Sequence, residues 1–334
     1  MFQFIIQVWI QKKHFMRITI ISLDNWGFNK HLVTALEEKG HDVQHINFND
    51  FTYKYPNFFH RGYNLFLKTF LKKNLKRIHF GKKIIETLRE NDSLQDVILV
   101  IKGDFIDPKS IMELKKYAKK TFAYFNDNTI RCPKIVRVIP YFDEVFSFEK
   151  EDCEKYHLKF ATNWIYNSAP ENNESPIEQK VFNIISKDNR LSVLSKIATD
   201  LESKKISHKI FVYNKKVKKR ISTMEFITNP IPLTEINKHI NRSQVLLDIN
   251  RKNQNGLTFR VFESLGLNKK LITTNSDIKN YDFYNPNNIL VIDEKNPDVP
   301  VSFFEKEYEK IPDAIFNKYT MDGWINNVVY SALR

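Results

Sequence analysis

The chain is short of cysteine and glycine, with 2 cysteines and 8 glycines among its 334 residues. Cys132 and Cys153 stand apart, and no CxxC pair or Cys/His cluster occurs. A disulfide framework and a zinc site are therefore not expected, and a cytoplasmic location fits the composition best. The sequence also lacks an apolar run of the roughly 20 residues that a membrane-spanning helix needs.

The first ten residues, MFQFIIQVWI, are largely apolar and are followed by QKKH. A secretory signal carries its charges before the apolar run, whereas here they come after it. We interpret residues 1–16 as an N-terminal extension, with a weak interfacial anchor as the alternative. A clean strand pattern, RITIISL, then begins at Arg17.

Acidic residues are also in short supply, because 39 Asp and Glu face 52 Lys and Arg. The formal net charge of +13 indicates an anionic partner, which is nucleic acid, a membrane surface or a phosphorylated substrate. No recognised nucleic-acid-binding motif is present. A basic nucleic-acid-binding protein is therefore the weakest interpretation, and nucleic acid is not expected as a partner.

Continuous apolar runs alternate with amphipathic helical patterns along the whole chain. Runs such as DVILVIKG (96–103) and SQVLLDIN (243–250) are typical of strands in a parallel sheet covered on both faces. We predict an α/β fold with two tandem Rossmann-like, doubly wound domains facing a cleft. The predicted divisions are an N-terminal domain over 17–166, a linker over 167–176 (NSAPENNESP), a C-terminal domain over 177–310, and terminal helices over 311–334 that pack back on the N-terminal domain.

Individual elements follow from the same patterns. DPKSIMELKKYAKK predicts a helix over 107–120, and TFAYFND predicts a strand over 121–127. In the second half, helices are predicted over 190–205, 233–242 and 258–268. Each follows a predicted strand, as a βαβ unit requires.

The stretch NGLTFRVFESLG (255–266) follows a predicted strand and opens a helix. A glycine at Gly256 lets backbone approach a ligand closely, and a helix start near Thr258 offers N–H groups to a phosphate. Arg260 adds a charged fork for a diphosphate, and the Glu263 carboxylate is able to accept ribose hydroxyls. The alternative is a solvated i,i+3 ion pair on an ordinary helix.

This stretch resembles a known family. Asn255, Gly256 and Glu263 have the spacing of the E-x7-E signature of GT-B glycosyltransferases, with Asn255 in place of the first glutamate. More closely, NGLTFRVFESLGLNKKLITTN resembles the carboxyl-terminal segment of group 1 and CgeB-like enzymes from bacterial surface-polysaccharide clusters. The specific match covers residues 243–293, and it implies that Glu263 holds the donor ribose and Arg260 faces the donor phosphates.

The resemblance implies a glycosyltransferase of the GT-B fold. Such an enzyme moves a sugar from a nucleotide-diphosphate donor to a capsule, lipopolysaccharide or lipid-linked acceptor, at the inner face of the plasma membrane. No Asp-x-Asp sequence occurs, so no metal and no cofactor beyond the nucleotide-sugar co-substrate are expected, and Arg260 with the helix start takes the metal's role. A nucleotide-sugar epimerase of the same fold is the alternative. The donor, the acceptor, the stereochemistry and the oligomeric state stay open.

Further donor-side residues follow from the family pattern. Ser186 and Arg190 lie in the loop that approaches the donor phosphates, although Asp188 in the same loop is equally well read as a helix cap. Phe226 and Ile227 lie where such enzymes hold the base. These residues complete the predicted donor site with Asn255, Gly256, Thr258, Arg260 and Glu263.

First-domain residues are predicted from strand ends. Asp24, Asn25 and Gly27 follow the first strand, and Lys102 follows VILVI. We expect all four to face the cleft and contact donor or acceptor. Asp127, at the end of the next strand, is the carboxylate best placed to deprotonate an acceptor hydroxyl, with an Asx turn as the alternative.

Residues 61–90 hold nine Lys or Arg against two Glu, with aromatic and aliphatic residues between them. A basic, aromatic amphipathic helix suits an anionic membrane surface. The alternative is a solvated helix with one face in the core.

Overall fold

The computed structural model describes residues 15–24, 26–91, 93–168, 176–215, 220–221 and 223–333. Asn25, most of the predicted N-terminal extension and most of the predicted linker lie outside the described residues. The chain forms two sheets, one parallel and one parallel except for a short edge strand, and helices flank both.

The first sheet has six parallel strands in the order β2-β1-β3-β4-β5-β6. Its strands are β1 (Arg17–Ser22), β2 (Asp42–Asn47), β3 (Gln95–Ile101), β4 (Ala118–Phe125), β5 (Glu144–Ser147) and β6 (Lys159–Phe160). Its helices are α1 (Phe28–Glu38), α2 (Phe58–Phe70), α3 (Leu75–Glu90), α4 (Pro108–Leu114) and α5 (Lys150–Tyr156).

Burial of β3 explains why its sequence is continuously apolar. Leu99 and Ile101 point into one core cluster and Ile98 and Val100 into another, because successive strand residues face opposite sides of the sheet. Both faces are covered, so no polar position is needed between them.

The second sheet has the order β13-β12-β11-β7-β8-β10-β9, parallel except for β9. Its strands are β7 (Gln179–Ser186), β8 (His208–Tyr213), β9 (Arg220–Ile221), β10 (Met224–Ile227), β11 (Ser243–Asp248), β12 (Lys270–Thr273) and β13 (Ile289–Val291). Its helices are α6 (Leu191–Ser203), α7 (Leu233–Asn241) and α8 (Phe259–Gly266). The six parallel strands have the Rossmann order, which confirms the predicted fold class for this half.

The helix predicted over 107–120 is too long. The helix α4 begins after Asp107, whose carboxylate accepts the N–H groups of Lys109 and Ser110, and it ends at Leu114. Strand β4 starts at Ala118, three residues before its predicted start. Residues 118–120 suit a helix by propensity, but pairing with β3 overrides it.

Residues 61–90 form two helices rather than one. Helix α2 ends at Phe70, Lys72 adopts a positive φ of 53°, and Asn74 caps α3 through the Lys76 N–H. Helix α3 places its apolar face in the core of the first domain. Helix α3 therefore fits the alternative, a helix with one face in the core, and the membrane surface stays a prediction for the rest of this segment.

After the second sheet the chain returns to the first domain. It forms α9 (Asp313–Tyr319), α10 (Met321–Ile325) and a π-helical turn over Asn326–Tyr330. Trp324 and Ile325 belong to the core cluster of the first sheet, and the Trp324 ring centroid lies 4.6 Å from that of Trp164. Within the described part of the chain, no helix is long and apolar enough to cross a membrane.

Candidate functional site

The candidate site is a cleft between the carboxyl ends of the two sheets. The chain winds outward in opposite directions from β1 and β3 in the first sheet, and from β7 and β11 in the second. Doubly wound sheets bind ligands outside the carboxyl ends of the strands at such points. A cavity of about 330 Å³ lies there, with walls from both domains.

The start of α8 forms one wall. Thr258 is its N-cap, and the Thr258 hydroxyl oxygen accepts the Arg260 N–H at 3.2 Å. The same hydroxyl donates to Oδ1 of Asp248 at 2.8 Å, and Thr273 donates to Oδ2 at 3.0 Å. Burial raises the pKa of Asp248, although both hydrogen bonds oppose the shift. Sequence reasoning missed Asp248, which ends a strand beside a helix start.

Arg260 and Glu263 both line the cleft, as predicted from their spacing. Their side chains are 12% and 4% exposed, so the solvated-pair alternative is wrong. Nη1 of Arg260 lies 2.5 Å from Oε2 of Glu263, but the two atoms are not aligned for a hydrogen bond. Oε1 of Glu263 accepts a hydrogen bond from the Tyr166 hydroxyl.

Three arginines from separate segments meet in this cleft. Arg190 and Arg251 follow β7 and β11, and Arg131 enters from the first domain. Asp188 lies 2.8 Å from Arg190 and 3.8 Å from Arg251, and Asp127 pairs with Arg131. Burial lowers the pKa of Arg251, and the positive charges of Arg131 and Arg190 add to the shift. Such a cluster suits a diphosphate.

The structure does not support the helix-cap interpretation of Asp188. The N-cap of α6 is Arg190, without a side-chain cap, and Asp188 accepts the Arg190 N–H at 3.0 Å in the preceding turn. Arg190 and Ser186 line the cleft. The Arg190 side chain is held by Asp188 and by the carbonyl of Ile249 at 3.1 Å.

Asp127 lies in the cleft, but its carboxylate is occupied. It is 6% exposed, Oδ1 pairs with Arg131, and Oδ2 pairs with Lys102. A general base needs a lone pair facing the acceptor hydroxyl. Asp127 therefore has to lose one of its two cationic partners before it acts as a general base. Lys102 adopts a positive φ of 58° and contributes to the site through this ion pair.

The loop at Asn255 and Gly256 faces the first domain rather than the cavity. The Asn255 N–H donates to Glu149 at 3.0 Å and the Gly256 N–H at 3.2 Å. The Asn255 side chain donates to Oε1 of Glu151 at 2.9 Å. Burial raises the pKa of Glu149, and the two backbone hydrogen bonds oppose the shift. Both residues were predicted to contact the donor, whereas these contacts join the domains.

Gly256 is needed for close packing. A Cβ at this position would lie 2.6 Å from Cδ2 of Phe148, whose ring is 2% exposed. The backbone at Gly256 therefore does approach a neighbouring group closely, but that group is Phe148 of the first domain. The predicted approach of a ligand at Gly256 is replaced by this contact.

The placement of Phe226 corrects a prediction. Its side chain is 7% exposed and belongs to the core cluster under the second sheet. Ile227, the next residue of β10, lines the cleft instead, because the two side chains face opposite sides. Ile227 joins an apolar wall with Pro230, Ile231 and Leu233.

The loop after β1 is built around Asp24. Its carboxylate accepts the Gly27 N–H at 2.8 Å and the Lys30 N–H at 3.0 Å, which stabilises the start of α1. Gly27 has a positive φ of 84°. The residues of this loop that line the cleft are Trp26 and Phe28, which sequence reasoning missed. Phe28 stacks on Phe259 of the second domain, with ring centroids 4.4 Å apart.

Among the residues described, no group of three or more His, Cys, Asp or Glu is arranged to hold a metal ion.

No known protein family and no curated protein sequence matches the chain. Solved structures do. The chain is similar to the spinosyn forosaminyltransferase SpnP, with a TM-score of 0.51, 11% identity and coverage of 96% of this chain and 100% of that one. It is similar to the catalytic domain of starch synthase IV from Arabidopsis thaliana bound to ADP and acarbose. The TM-score is 0.54, the identity is 8%, and the match covers 96% of this chain and 97% of that one. It is also similar to the UDP-N-acetylglucosamine 2-epimerase from Rickettsia bellii, with a TM-score of 0.54, 10% identity and coverage of 96% of each chain.

At these identities the likenesses establish the fold alone. The protein has the GT-B arrangement, two Rossmann-like domains facing a cleft, as the sequence predicted. Both glycosyltransferases and an epimerase occur among its neighbours.

Proposed function

We propose that the protein is a metal-independent glycosyltransferase that uses a nucleotide-diphosphate sugar and a surface-polysaccharide or lipid-linked acceptor. The observation that carries the proposal is the convergence of Arg131, Arg190 and Arg251 with the buried Arg260–Glu263 pair in one interdomain cleft. Two structural neighbours support it, because one is named a forosaminyltransferase and the other is a starch synthase bound to ADP. We place the reaction in the cytoplasm, beside the inner face of the plasma membrane.

The proposed reaction transfers the sugar at its anomeric carbon. A bond forms between that carbon and an acceptor oxygen, the bond to the donor phosphate oxygen breaks, and the nucleoside diphosphate leaves with both electrons. Negative charge grows on the leaving diphosphate, where fixed cations stabilise the transition state. The three arginines, Arg260 and the start of α8 supply positive potential there.

Arg260 and Glu263 have different roles in this proposal. Oε2 of Glu263 is paired with Arg260 and has no hydrogen-bond partner among the described residues, so in this proposal it accepts a ribose hydroxyl once Arg260 has turned to the donor phosphates. Nη1 of Arg260 likewise makes no hydrogen bond among the described residues, and Arg260 lines the cleft. Their ion pair keeps both charges compensated before the donor binds.

Asp127 is the proposed base if the reaction inverts the anomeric centre. It accepts the acceptor proton after Arg131 turns from the carboxylate to the incoming diphosphate. Donor binding then frees the Asp127 carboxylate, because Arg131 pairs with the diphosphate in place of Asp127. If the reaction retains configuration, the leaving diphosphate oxygen accepts the acceptor proton, and no protein base is required at this position.

The proposal is tested by nucleotide binding and by turnover. Thermal shift with UDP, ADP and TDP should raise the melting temperature for at least one nucleotide, because a ligand of the folded state stabilises it. Glu263→Gln keeps the size of the side chain and should lower affinity for that nucleotide and abolish transfer. Glu178→Gln, at an exposed ion pair with Arg242, is the matched control. Wild-type binding and transfer by Glu263→Gln would refute the site.

A nucleotide-sugar epimerase is the second candidate, favoured by the structural likeness to the Rickettsia bellii enzyme. It requires acidic catalysts in the cleft, and Asp127, Asp248 and Glu263 line it. Incubation with the donor alone separates the two activities. An epimerised sugar nucleotide formed without acceptor identifies an epimerase, whereas acceptor-dependent release of nucleoside diphosphate identifies a transferase.

A further inference from the structure

Helix α2 carries an unusual concentration of exposed apolar side chains. Of the sixteen large hydrophobic residues that are exposed in the described chain, seven lie between residues 58 and 71. They are Phe58, Phe59, Tyr63, Leu65, Phe66, Phe70 and Leu71, and Phe58 and Phe59 are more than 80% exposed. Isolated exposed apolar residues are ordinary, but a contiguous patch marks an interaction surface.

The six of these residues that lie within α2, from Phe58 to Phe70, share one face of the helix, and Leu71 follows its end. At 3.6 residues per turn, the apolar side chains of α2 cover roughly 160° of its circumference. The opposite side holds Asn64 and Leu67, which are buried. The Asn64 amide donates to the Tyr55 hydroxyl and accepts the Leu75 N–H at 2.9 Å. The helix is therefore fixed to the domain by its inner face while its aromatic face points outward.

Basic residues flank the apolar face. Arg61 and Lys68 are exposed and project from one edge of α2, and the exposed Lys72 and Lys73 follow its end. No acidic residue occurs between residues 51 and 85. The surface around the apolar face is thus positive, and it is complementary to an anionic one.

The helix stands on the cleft side of the domain. It is inserted between the carboxyl end of β2 and the start of α3. Arg77, in the first turn of α3, lies 3.7 Å from Asp104, which follows the carboxyl end of β3. The carboxyl ends of the parallel strands line the cleft, so α2 lies along the same edge of the sheet.

We propose that α2 docks the protein on an anionic lipid bilayer, with its aromatic face among the acyl chains and its basic residues against the headgroups. Amphipathic helices with Phe and Leu on one face and Lys or Arg beside it lie in the membrane interface in this way. Each basic residue near an anionic surface adds to the attraction. The inference deepens the proposed location beside the plasma membrane by naming the surface that binds it, and it is tested separately from the proposed reaction.

A second copy of the chain fits this surface less well. A helix of 13 residues is about 20 Å long, and one face of it buries far less than the roughly 800 Å² per partner of a standard interface. A symmetric contact through α2 would also bring the basic flanks of both copies together. A bilayer avoids both problems, because its hydrocarbon core covers the whole apolar face of the helix and its headgroups carry the opposite charge.

The test is co-sedimentation of the full chain with phosphatidylcholine vesicles, with and without one third phosphatidylglycerol. The wild type should bind the anionic vesicles. The variant Phe58→Ser/Phe59→Ser/Phe66→Ser/Phe70→Ser should lower the partition coefficient by at least about tenfold. Arg61→Gln/Lys68→Gln/Lys72→Gln/Lys73→Gln should do the same for anionic vesicles only, with added salt reproducing its effect on the wild type.

The control removes exposed apolar side chains outside α2, in Leu94→Ser/Met112→Ser/Ile130→Ser, and should bind as the wild type does. Circular dichroism and retained nucleotide binding show that the variants are folded, and they separate failure of docking from failure of the proposed reaction. Three outcomes overturn the proposal: no binding by the wild type, unchanged binding by the phenylalanine variant, or a dimer that this variant dissociates while vesicles are ignored.

Discussion

The Tyr166 hydroxyl donates a hydrogen bond to Oε1 of Glu263, which joins the end of the first domain to helix α8 of the second. Burial and the neighbouring carboxylate hold the pKa of Tyr166 far above its usual range, so the hydroxyl keeps its proton. Glu263 is therefore positioned by both domains, with Oε1 held by Tyr166 and Oε2 paired with Arg260 at the cleft. The interdomain geometry and the proposed ribose site depend on the same contact.

Tyr166→Phe should destabilise the protein. The substitution leaves Oε1 of a buried carboxylate without its donor, which typically costs about 1–3 kcal/mol. The free energy of unfolding from urea titration measures the effect. Tyr308→Phe is the control, because the buried Tyr308 hydroxyl has no hydrogen-bond partner among the described residues, and its loss should be neutral or stabilising. Equal effects of the two substitutions would show that the Tyr166 hydrogen bond contributes nothing.

Arg251→Met should weaken binding of a nucleoside diphosphate by about 10- to 100-fold, since a charge-assisted hydrogen bond contributes about 1.5–3 kcal/mol. The dissociation constant from titration calorimetry measures this loss, and the difference from wild type should shrink as salt is added. Arg89→Met removes an exposed arginine of α3 and should leave affinity unchanged. If Arg251→Met binds as tightly as the wild type, the arginine cluster is not the diphosphate site.

Gly256→Ala should destabilise the folded state by about 1–3 kcal/mol, because the new methyl group overlaps the Phe148 ring. Thermal or chemical unfolding checks the value, and the added substitution Phe148→Leu should recover part of the loss. Gly62→Ala provides the comparison. It lies within α2 with no atom within 4 Å of the added Cβ, so it should stabilise by about 0.5–1 kcal/mol. A Gly256→Ala protein as stable as wild type would refute the close contact.

Lys269 predicts a pH dependence. Burial lowers its pKa from 10.5 to about 8, while Nζ donates to the carbonyls of Asn241 and Ser243 at 2.8 and 2.6 Å. Between about pH 8 and pH 10.5 the unfolded chain holds a proton that the folded chain has released, so stability rises with pH there. Lys269→Met removes this contribution. The wild-type stability minus that of the variant should increase from pH 8 to 10.5. A constant difference over that range would contradict the lowered pKa.

Strands with continuous apolar sequence were predictable, whereas several of the shortest elements were not. The apolar run of β3 and the patterns of β7 and β11 define their positions without tertiary information, because burial on both faces requires them. Residues 118–120 read as helix and become strand through pairing with β3. Helix α5 and strand β10 are short, and neither was predicted. Short elements carry too few residues for periodicity to reveal them.

The site divides in the same way. Arg260 and Glu263 were found because they are close in sequence on one helix start, and both lie in the cleft. Arg131 and Arg251 are separated by more than one hundred residues and meet only across the domain boundary. No local pattern marks such residues. Phe226 and Ile227 differ by one position, and strand register alone decided which of them faces the cleft.

By itself, the sequence determined the two α/β halves and the segment at which a helix opens toward a ligand, because periodicity, glycine placement and residue spacing are local properties of the chain. Only the tertiary structure decided what that helix meets. Phe148 packs against Gly256, and Glu149 accepts the Asn255 N–H. The Tyr166 hydroxyl donates to Glu263. These contacts depend on the relative orientation of two domains, which long-range packing sets and which local sequence does not encode.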